Sequence, residues 1–153
     1  MAITISLEQL KKLRAETSAG VSDCRQALED AGGDYEKAKK LLIERGIEKA
    51  AKKSDRQTGA GLIESYVHGG KVGVLVEVRC ETDFVARTDD FKKLAHELAL
   101  QVASMAPKDV KTLLKSEYIR DPKFTIEALI KQTIAKVGEN ITVARFSRMV
   151  LGE

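Results

Sequence analysis

The sequence predicts an α+β fold, in which a bundle of three short helices precedes a small antiparallel sheet of about three strands covered by helices. Apolar residues recur at helical spacing up to about residue 53. A run without apolar residues, 54–59, interrupts the pattern. Beyond it, valines occupy every second position from Val72 to Val78, as expected for a strand with one buried face. We therefore expect two units, residues 1–53 and residues 54–153.

Boundary signals place the three helices of the first unit. Ser6 begins an S-x-x-Q capping box, Gly32-Gly33 ends the second helix, and Asp34 is a favourable N-cap for the third. Gly46 is expected to end that helix, before a further short helical stretch, 47–53. The predicted inner faces are apolar residues three or four positions apart: Leu7, Leu10 and Leu13; Val21, Cys24, Ala27, Leu28 and Ala31; Tyr35, Ala38, Leu41 and Leu42.

A hairpin is predicted at the start of the second unit. Two alternating runs, 62–67 and 72–80, flank the glycine pair Gly69-Gly70. Residues 140–151 predict a last strand. With one buried face, such a sheet needs helices to cover it.

Two helices are predicted between the hairpin and the last strand. Thr88 or Asp89 can cap a long helix that ends before Pro107, and Gly138 ends the second helix. Both have an apolar stripe at helical spacing, so we expect them to pack on the sheet. The stripes are Phe91, Leu94, Ala95, Leu98, Val102 and Met105, then Ile126, Leu129, Ile130, Thr133, Ile134 and Val137.

Composition argues against nucleic-acid and membrane partners. Lys and Arg number 26 against 23 Asp and Glu, a net charge of only +3. No apolar run approaches the roughly 20 residues of a membrane helix. The N-terminus, MAITISLEQLKK, lacks the order of a secretion signal. We therefore expect a location in the cytoplasm, with an organellar matrix as the alternative.

Signatures of catalysis are absent from the sequence. It has no phosphate-binding loop, dinucleotide fingerprint, nucleophile elbow or H-E-x-x-H pair. Cys24 and Cys80 lie far apart and fall on predicted buried faces, so neither a metal site nor a disulfide is expected, and no cofactor is implied. His68 abuts the glycine turn and His96 lies within the long helix. An enzyme that uses Cys80 and His96 is the least favoured interpretation.

Residues 80–87, CETDFVAR, suggest more than a structural role. An acid beside a large aromatic residue at a junction between elements can present a carboxylate and a ring to a partner. The alternative is that Phe84 packs under the long helix while Asp83 caps its start. Similarly, Lys11 and Arg14 share one face of the first helix, where they are either solvated or in contact with a partner. Spacing alone leaves both questions open.

Three motifs carry a resemblance to a known family. They are residues 13–21 with 23–28, LRAETSAGV and DCRQAL; residues 77–87, EVRCETDFVAR; and residues 136–141, KVGENI. In sequence, order and separation they resemble elongation factor Ts, the translation factor that recharges elongation factor Tu. Two positions depart from the family pattern: Ser18 stands where glycine is common, and Arg79 where asparagine is usual.

The resemblance implies a guanine-nucleotide exchange factor for elongation factor Tu. Residues 1–53 would form a ubiquitin-associated-like domain that docks on this partner in its GDP-bound and nucleotide-free forms. Residues 54–153 would form the exchange and dimerisation domain, in which Asp83 and Phe84 wedge near the partner's magnesium and phosphate site. The matching contact positions are Lys11, Arg14, Val21, Thr82, Asp83, Phe84, Val85 and Arg87.

The resemblance also bears on oligomeric state. Longer members carry a duplicated core, and this chain is similar to one half of it, so a homodimer is expected. A competing interpretation is an adaptor whose ubiquitin-associated-like bundle binds another protein without exchange activity. That interpretation accounts for residues 5–46 but not for residues 80–87.

Overall fold

The computed structural model describes residues 3–153, and over that range it has the predicted α+β architecture. Three helices precede a three-stranded antiparallel sheet, and four further helices follow its hairpin. The fold class predicted from the sequence is therefore confirmed. The elements are α1 (Leu7–Thr17), α2 (Val21–Asp30), α3 (Tyr35–Ala51), β1 (Ala60–His68), β2 (Val72–Cys80), α4 (Asp83–Ala86), α5 (Asp89–Met105), α6 (Val110–Lys115), α7 (Ile126–Val137) and β3 (Thr142–Val150).

The helices α1 to α3 close around a small core of their own. Ser6 and Asp34 are the N-caps of α1 and α3, as predicted, and their side chains accept hydrogen bonds from the amides of Glu8 and Lys37. The prediction that Leu7 and Val21 lie in this core is wrong, since Leu7 is 72% exposed and Val21 is also exposed. Six of the predicted inner residues are buried together and form this core: Leu13, Cys24, Ala27, Leu28, Ala38 and Leu42.

Helix α3 corrects one predicted boundary. Gly46 does not end a helix, because α3 runs without a break from Tyr35 to Ala51. A Cβ atom at position 46 would lie 3.1 Å from the Cβ of Ala135 in α7. The glycine therefore permits a close approach of two helices. Ala50, one turn further on, already belongs to the core of the second unit, and the division at residues 53 and 54 stays a prediction.

The sheet forms the second core together with α5 and α7. Its strand order is β1-β2-β3, with β2 antiparallel to both neighbours and a bulge at Glu77/Val78. The alternating valines of β2 point inward as predicted. Thr88 caps α5 and Gly138 ends α7, also as predicted. Buried on the inner side of the sheet are Val74, Val76, Val78, Cys80, Phe91, Leu94, Ala95, Leu98, Val102, Ile126, Ile130, Ile134 and Ile141.

Two buried polar side chains of α5 fix the segment between α6 and α7. Gln101 is fully buried, donates to the carbonyl of Glu117 at 2.8 Å and accepts from the amide of Ile119 at 3.1 Å. The Glu97 carboxylate accepts from the Tyr118 hydroxyl at 2.7 Å. Burial and this hydrogen bond raise the pKa of Tyr118 to about 12.

Within residues 3–153, no helix combines the length and the apolar character that crossing a membrane would require.

Candidate partner-binding site

An exposed aromatic ring marks the turn between β2 and α5. Phe84 lies in the four-residue helix α4 and is 81% exposed, the highest exposure among the large hydrophobic residues of the described chain. Asp83 beside it is exposed as well. The alternative that the sequence left open is therefore wrong: Phe84 does not pack under α5, and the residue that caps α5 is Thr88 rather than Asp83.

Local hydrogen bonds explain why the chain makes a tight turn here. The Thr82 hydroxyl caps α4 by accepting from the amide of Val85 at 3.3 Å. Three residues after Val85, the Thr88 hydroxyl donates to the Val85 carbonyl at 2.7 Å and accepts from the amide of Phe91 at 3.3 Å. Thr82 thus begins the short helix α4, and Thr88 begins α5 only two residues after α4 ends.

Val85 and Ala86 anchor this turn in the core. Both side chains are buried, at 4% and 7% exposure, next to the sheet and α5. Val85 is one of the predicted contact positions, but in this structure its side chain faces inward and is not available to a partner. Thr82 and Arg87 are exposed with Asp83 and Phe84. The turn therefore offers a ring and charged groups on a backbone that the core holds in place.

The loop after α7 holds the same turn from the outside. The Glu139 carboxylate accepts from both the amide and the hydroxyl of Thr82, at 2.9 and 2.8 Å. In return, the Glu81 carboxylate accepts from the amide of Asn140 at 2.8 Å. Two motifs that stand almost 60 residues apart in the sequence, CETDFVAR and KVGENI, are therefore one structural unit.

A second exposed surface lies on the bundle. Leu7, Lys11 and Arg14 are spaced four and three residues apart, so they share one face of α1. All three are exposed, as is Val21 at the start of α2. The predicted contact positions Lys11, Arg14 and Val21 are thus accessible, and Leu7, which the sequence placed in the core, is exposed on the same face of α1 as Lys11 and Arg14.

Neither cysteine is arranged for chemistry. Cys80 is fully buried, its thiol donates to the carbonyl of Thr82 at 3.2 Å, and burial raises the pKa of the thiol. Burial likewise raises the pKa of Cys24. His96 lies exposed on α5. Among residues 3–153 there is also no group of three or more His, Cys, Asp or Glu side chains that could hold a metal ion.

Comparison with known proteins agrees with the motifs. The family model described as elongation factor TS matches residues 81–153. The chain is 46% identical to elongation factor Ts of Coprothermobacter proteolyticus over 195 aligned positions, which cover 97% of this chain and 99% of that protein. It is 41% identical to elongation factor Ts of Fervidobacterium nodosum, with the same coverage. It is 43% identical to elongation factor Ts of Rippkaea orientalis, covering 97% of this chain and 79% of that protein.

These alignments are longer than the chain itself, which has 153 residues. The relatives therefore carry residues that have no counterpart here, although all three motifs are present in this shorter chain. Identity above 40% along nearly the whole sequence is far more than a shared fold requires. The chain belongs to the elongation factor Ts family of translation elongation factors.

Proposed function

We propose that this protein is a guanine-nucleotide exchange factor that promotes GDP release from elongation factor Tu in the cytoplasm. The observation that carries the proposal is the position of Phe84: a ring that is 81% exposed on a turn that is anchored in the core and capped at both ends. The proposal gives this ring, together with Asp83, the role of a wedge between elements of the partner near its magnesium and phosphate site.

The energetics of an exposed phenylalanine suit such a wedge. Full burial of a side chain of this size is worth roughly 1.5 to 3 kcal/mol. In the free protein this free energy is not realised, because the ring faces water. Since the backbone of the turn is already ordered, little of the gain is lost in fixing it when the partner binds. Other contacts across the interface would add the remainder.

No bond has to be made or broken for exchange. A GTPase of this type holds GDP through backbone amides, a lysine and Mg²⁺. A factor that binds the loosened form more tightly than the GDP-bound form shifts the population towards the loosened form, and GDP leaves. The effect is reciprocal, because whatever the factor does to weaken GDP binding, nucleotide does equally to weaken binding of the factor. Fresh GTP therefore displaces the factor.

Asp83 has a separate part in the proposal. Its carboxylate is exposed beside the ring, so a ring inserted near the metal site would bring a negative charge with it. That charge would compete with nucleotide phosphate for the cation and for hydrogen-bond donors. Thr82 and Arg87, exposed on the same turn, complete this contact region.

The bundle provides a second contact region in this proposal. Lys11 and Arg14 would meet acidic groups of elongation factor Tu, and Val21 with Leu7 would supply apolar contact. Exposed charges of this kind contribute to the rate and specificity of association more than to affinity. The ubiquitin-associated-like character of the bundle remains part of this proposal.

We further propose that the protein is a homodimer through the outer face of its sheet. The side chains that alternate with the buried valines leave an apolar surface in water: Ile63 and Val67 on β1, Leu75 on β2 and Met149 on β3 are all exposed. Register places Val67 and Met149 on either side of Gly73. A second copy, related by a two-fold axis, would cover this surface with the same residues.

A nucleotide-release assay tests the proposal. Elongation factor Tu loaded with fluorescently labelled GDP is mixed with excess unlabelled GDP, with and without this protein. We expect release to accelerate in proportion to the added protein at low concentration. A pull-down with ubiquitin as the comparison partner separates this function from that of an adaptor. Binding to ubiquitin with no acceleration of GDP release would overturn the proposal.

A further inference from the structure

A carboxylate from the end of α7 holds the exposed turn at its first residue. Glu139 accepts two hydrogen bonds from Thr82, one oxygen from the amide at 2.9 Å and the other from the hydroxyl at 2.8 Å. Hydrogen bonds to an ionised carboxylate are stronger than those between neutral groups. With the hydroxyl proton directed at Glu139, the lone pairs of the same oxygen face the amide of Val85, which they cap at 3.3 Å.

The contact therefore orients α4. A threonine hydroxyl that lacked this acceptor could turn to other rotamers and to water, and the cap would be populated only part of the time. The turn would keep its inner anchors, Val85 and Ala86. The turn would lose its contact with Glu139, and this contact sets the direction in which Asp83 and Phe84 point.

A second set of bonds ties the same loop to the chain that leaves the bundle. Asn140 is 3% exposed, and its side-chain amide donates to the carbonyls of Ser54 and Arg56, at 3.3 and 2.8 Å. The Arg56 guanidinium lies 3.6 Å from the Glu81 carboxylate, which also accepts from the Asn140 amide. The residues that follow α7 thus join the linker after α3 to the turn after β2.

We infer that Glu139 is a positioning residue for nucleotide exchange, which holds the Asp83–Phe84 turn ready for the partner, while Asn140 ties the same loop to the linker after α3. The inference rests on the proposed function. Neither residue needs to touch the partner. Without Glu139 the turn becomes ordered only when the partner binds, and this ordering costs free energy. The affinity for the partner therefore falls, and a higher concentration of factor is required for half-maximal release. The rate at saturation, which depends on the ring itself, is unchanged.

The test compares Glu139→Ala with wild type in the GDP-release assay over a wide range of factor concentration. We expect the half-saturating concentration to rise about tenfold, which corresponds to the loss of charge-assisted hydrogen bonds, while the plateau rate stays the same. The Glu139→Gln side chain has one oxygen that can accept from the Thr82 amide, but it has no second oxygen to accept from the Thr82 hydroxyl. Its half-saturating concentration should therefore lie between those of wild type and Glu139→Ala. Glu48→Ala, on the exposed side of α3, is the matched control.

Hydrogen exchange supplies a readout that does not depend on activity. In Glu139→Ala, the amides of residues 82–87 should exchange faster, while those of β2 and α5 keep their protection. If Glu139→Ala folds poorly, Glu139→Gln is compared with wild type in its place. An unchanged half-saturating concentration in a folded Glu139 variant overturns the inference. Phe84→Ala distinguishes this failure from that of the proposed function: if it too leaves release undiminished, the wedge itself is wrong.

Discussion

Ser18 and Gly138 occupy the same position, one residue beyond the end of α1 and of α7. In both, the amide donates to the carbonyl four residues earlier at 2.8 Å, and the backbone is left-handed, with φ of 57° and 77°. Glycine adopts this conformation freely, whereas for a residue with a Cβ it costs about 1 kcal/mol of conformational free energy. The backbone at Ser18 is therefore strained, whereas that at Gly138 is not.

The two positions make a matched pair for a stability measurement. Ser18→Gly should raise the melting temperature by about 2 to 4 °C, the shift expected from about 1 kcal/mol in a chain of this size. Gly138→Ser should lower it by a similar amount. Thermal unfolding followed by circular dichroism measures both. A lower melting temperature for Ser18→Gly would show that the backbone at this position is not strained.

Residues that act locally were predictable, and residues that depend on distant parts of the chain were not. The caps Ser6, Asp34 and Thr88 could be read from their neighbours in the sequence, because a cap bonds within three residues. The exposure of Phe84 could not, because spacing fits a packed ring equally well. Likewise, Leu7 has the right spacing for the core, but it lies on the exposed face of α1 that also carries Lys11 and Arg14.

At the scale of elements, the junction of α3 and α7 is where sequence rules failed. A glycine near the end of an apolar stripe normally ends a helix, yet Gly46 lies inside α3 and faces Ala135. Whether a glycine serves as a cap or as a contact depends on a helix that starts 80 residues later. The second and third motifs could be recognised in the sequence, but the hydrogen bonds that join them appear only in three dimensions.

Gly46→Val tests this junction. The added methyl groups have no room against Ala135, so α3 and α7 must separate, and we expect a loss of stability of about 1 to 3 kcal/mol by urea unfolding. Glu44→Val is the control, because it places the same β-branched side chain on the exposed side of the same helix. If both variants unfold at the same urea concentration, the close contact of α3 with α7 contributes nothing to stability.

At the scale of the whole molecule, two exposed surfaces and the outer face of the sheet are available for contacts with other proteins. Near its C-terminal end, α7 packs on α3, and it then leads into the loop that holds the Phe84 turn. The same helix therefore contacts both the bundle and the loop that holds this turn, the two regions that we propose to bind elongation factor Tu. The opposite face of the sheet is free for a second copy. A dimer would then present two sets of contact regions.

Sedimentation of wild type and Leu75→Glu tests the dimer. Leu75 lies at the centre of the outer face, so a charge there should prevent association, and we expect a dimer for wild type and a monomer for the variant at high micromolar concentration. Met105→Glu places the same charge at an exposed apolar residue outside that face and should leave the dimer intact. A monomeric wild-type protein would refute this mode of assembly.

The role proposed for Phe84 is tested most directly by the rate at which the variant Phe84→Ala stimulates GDP release from elongation factor Tu. Because the ring makes little contact within its own chain, the variant should fold normally, as judged by circular dichroism. At subsaturating concentration we expect the rate of stimulated release to fall by a factor of about ten or more, which corresponds to the lost burial of the ring. Ile119 is another exposed apolar residue, so Ile119→Ala is the control and should keep the wild-type rate. Stimulated release that is as fast with Phe84→Ala as with wild type would contradict the proposed role of the ring.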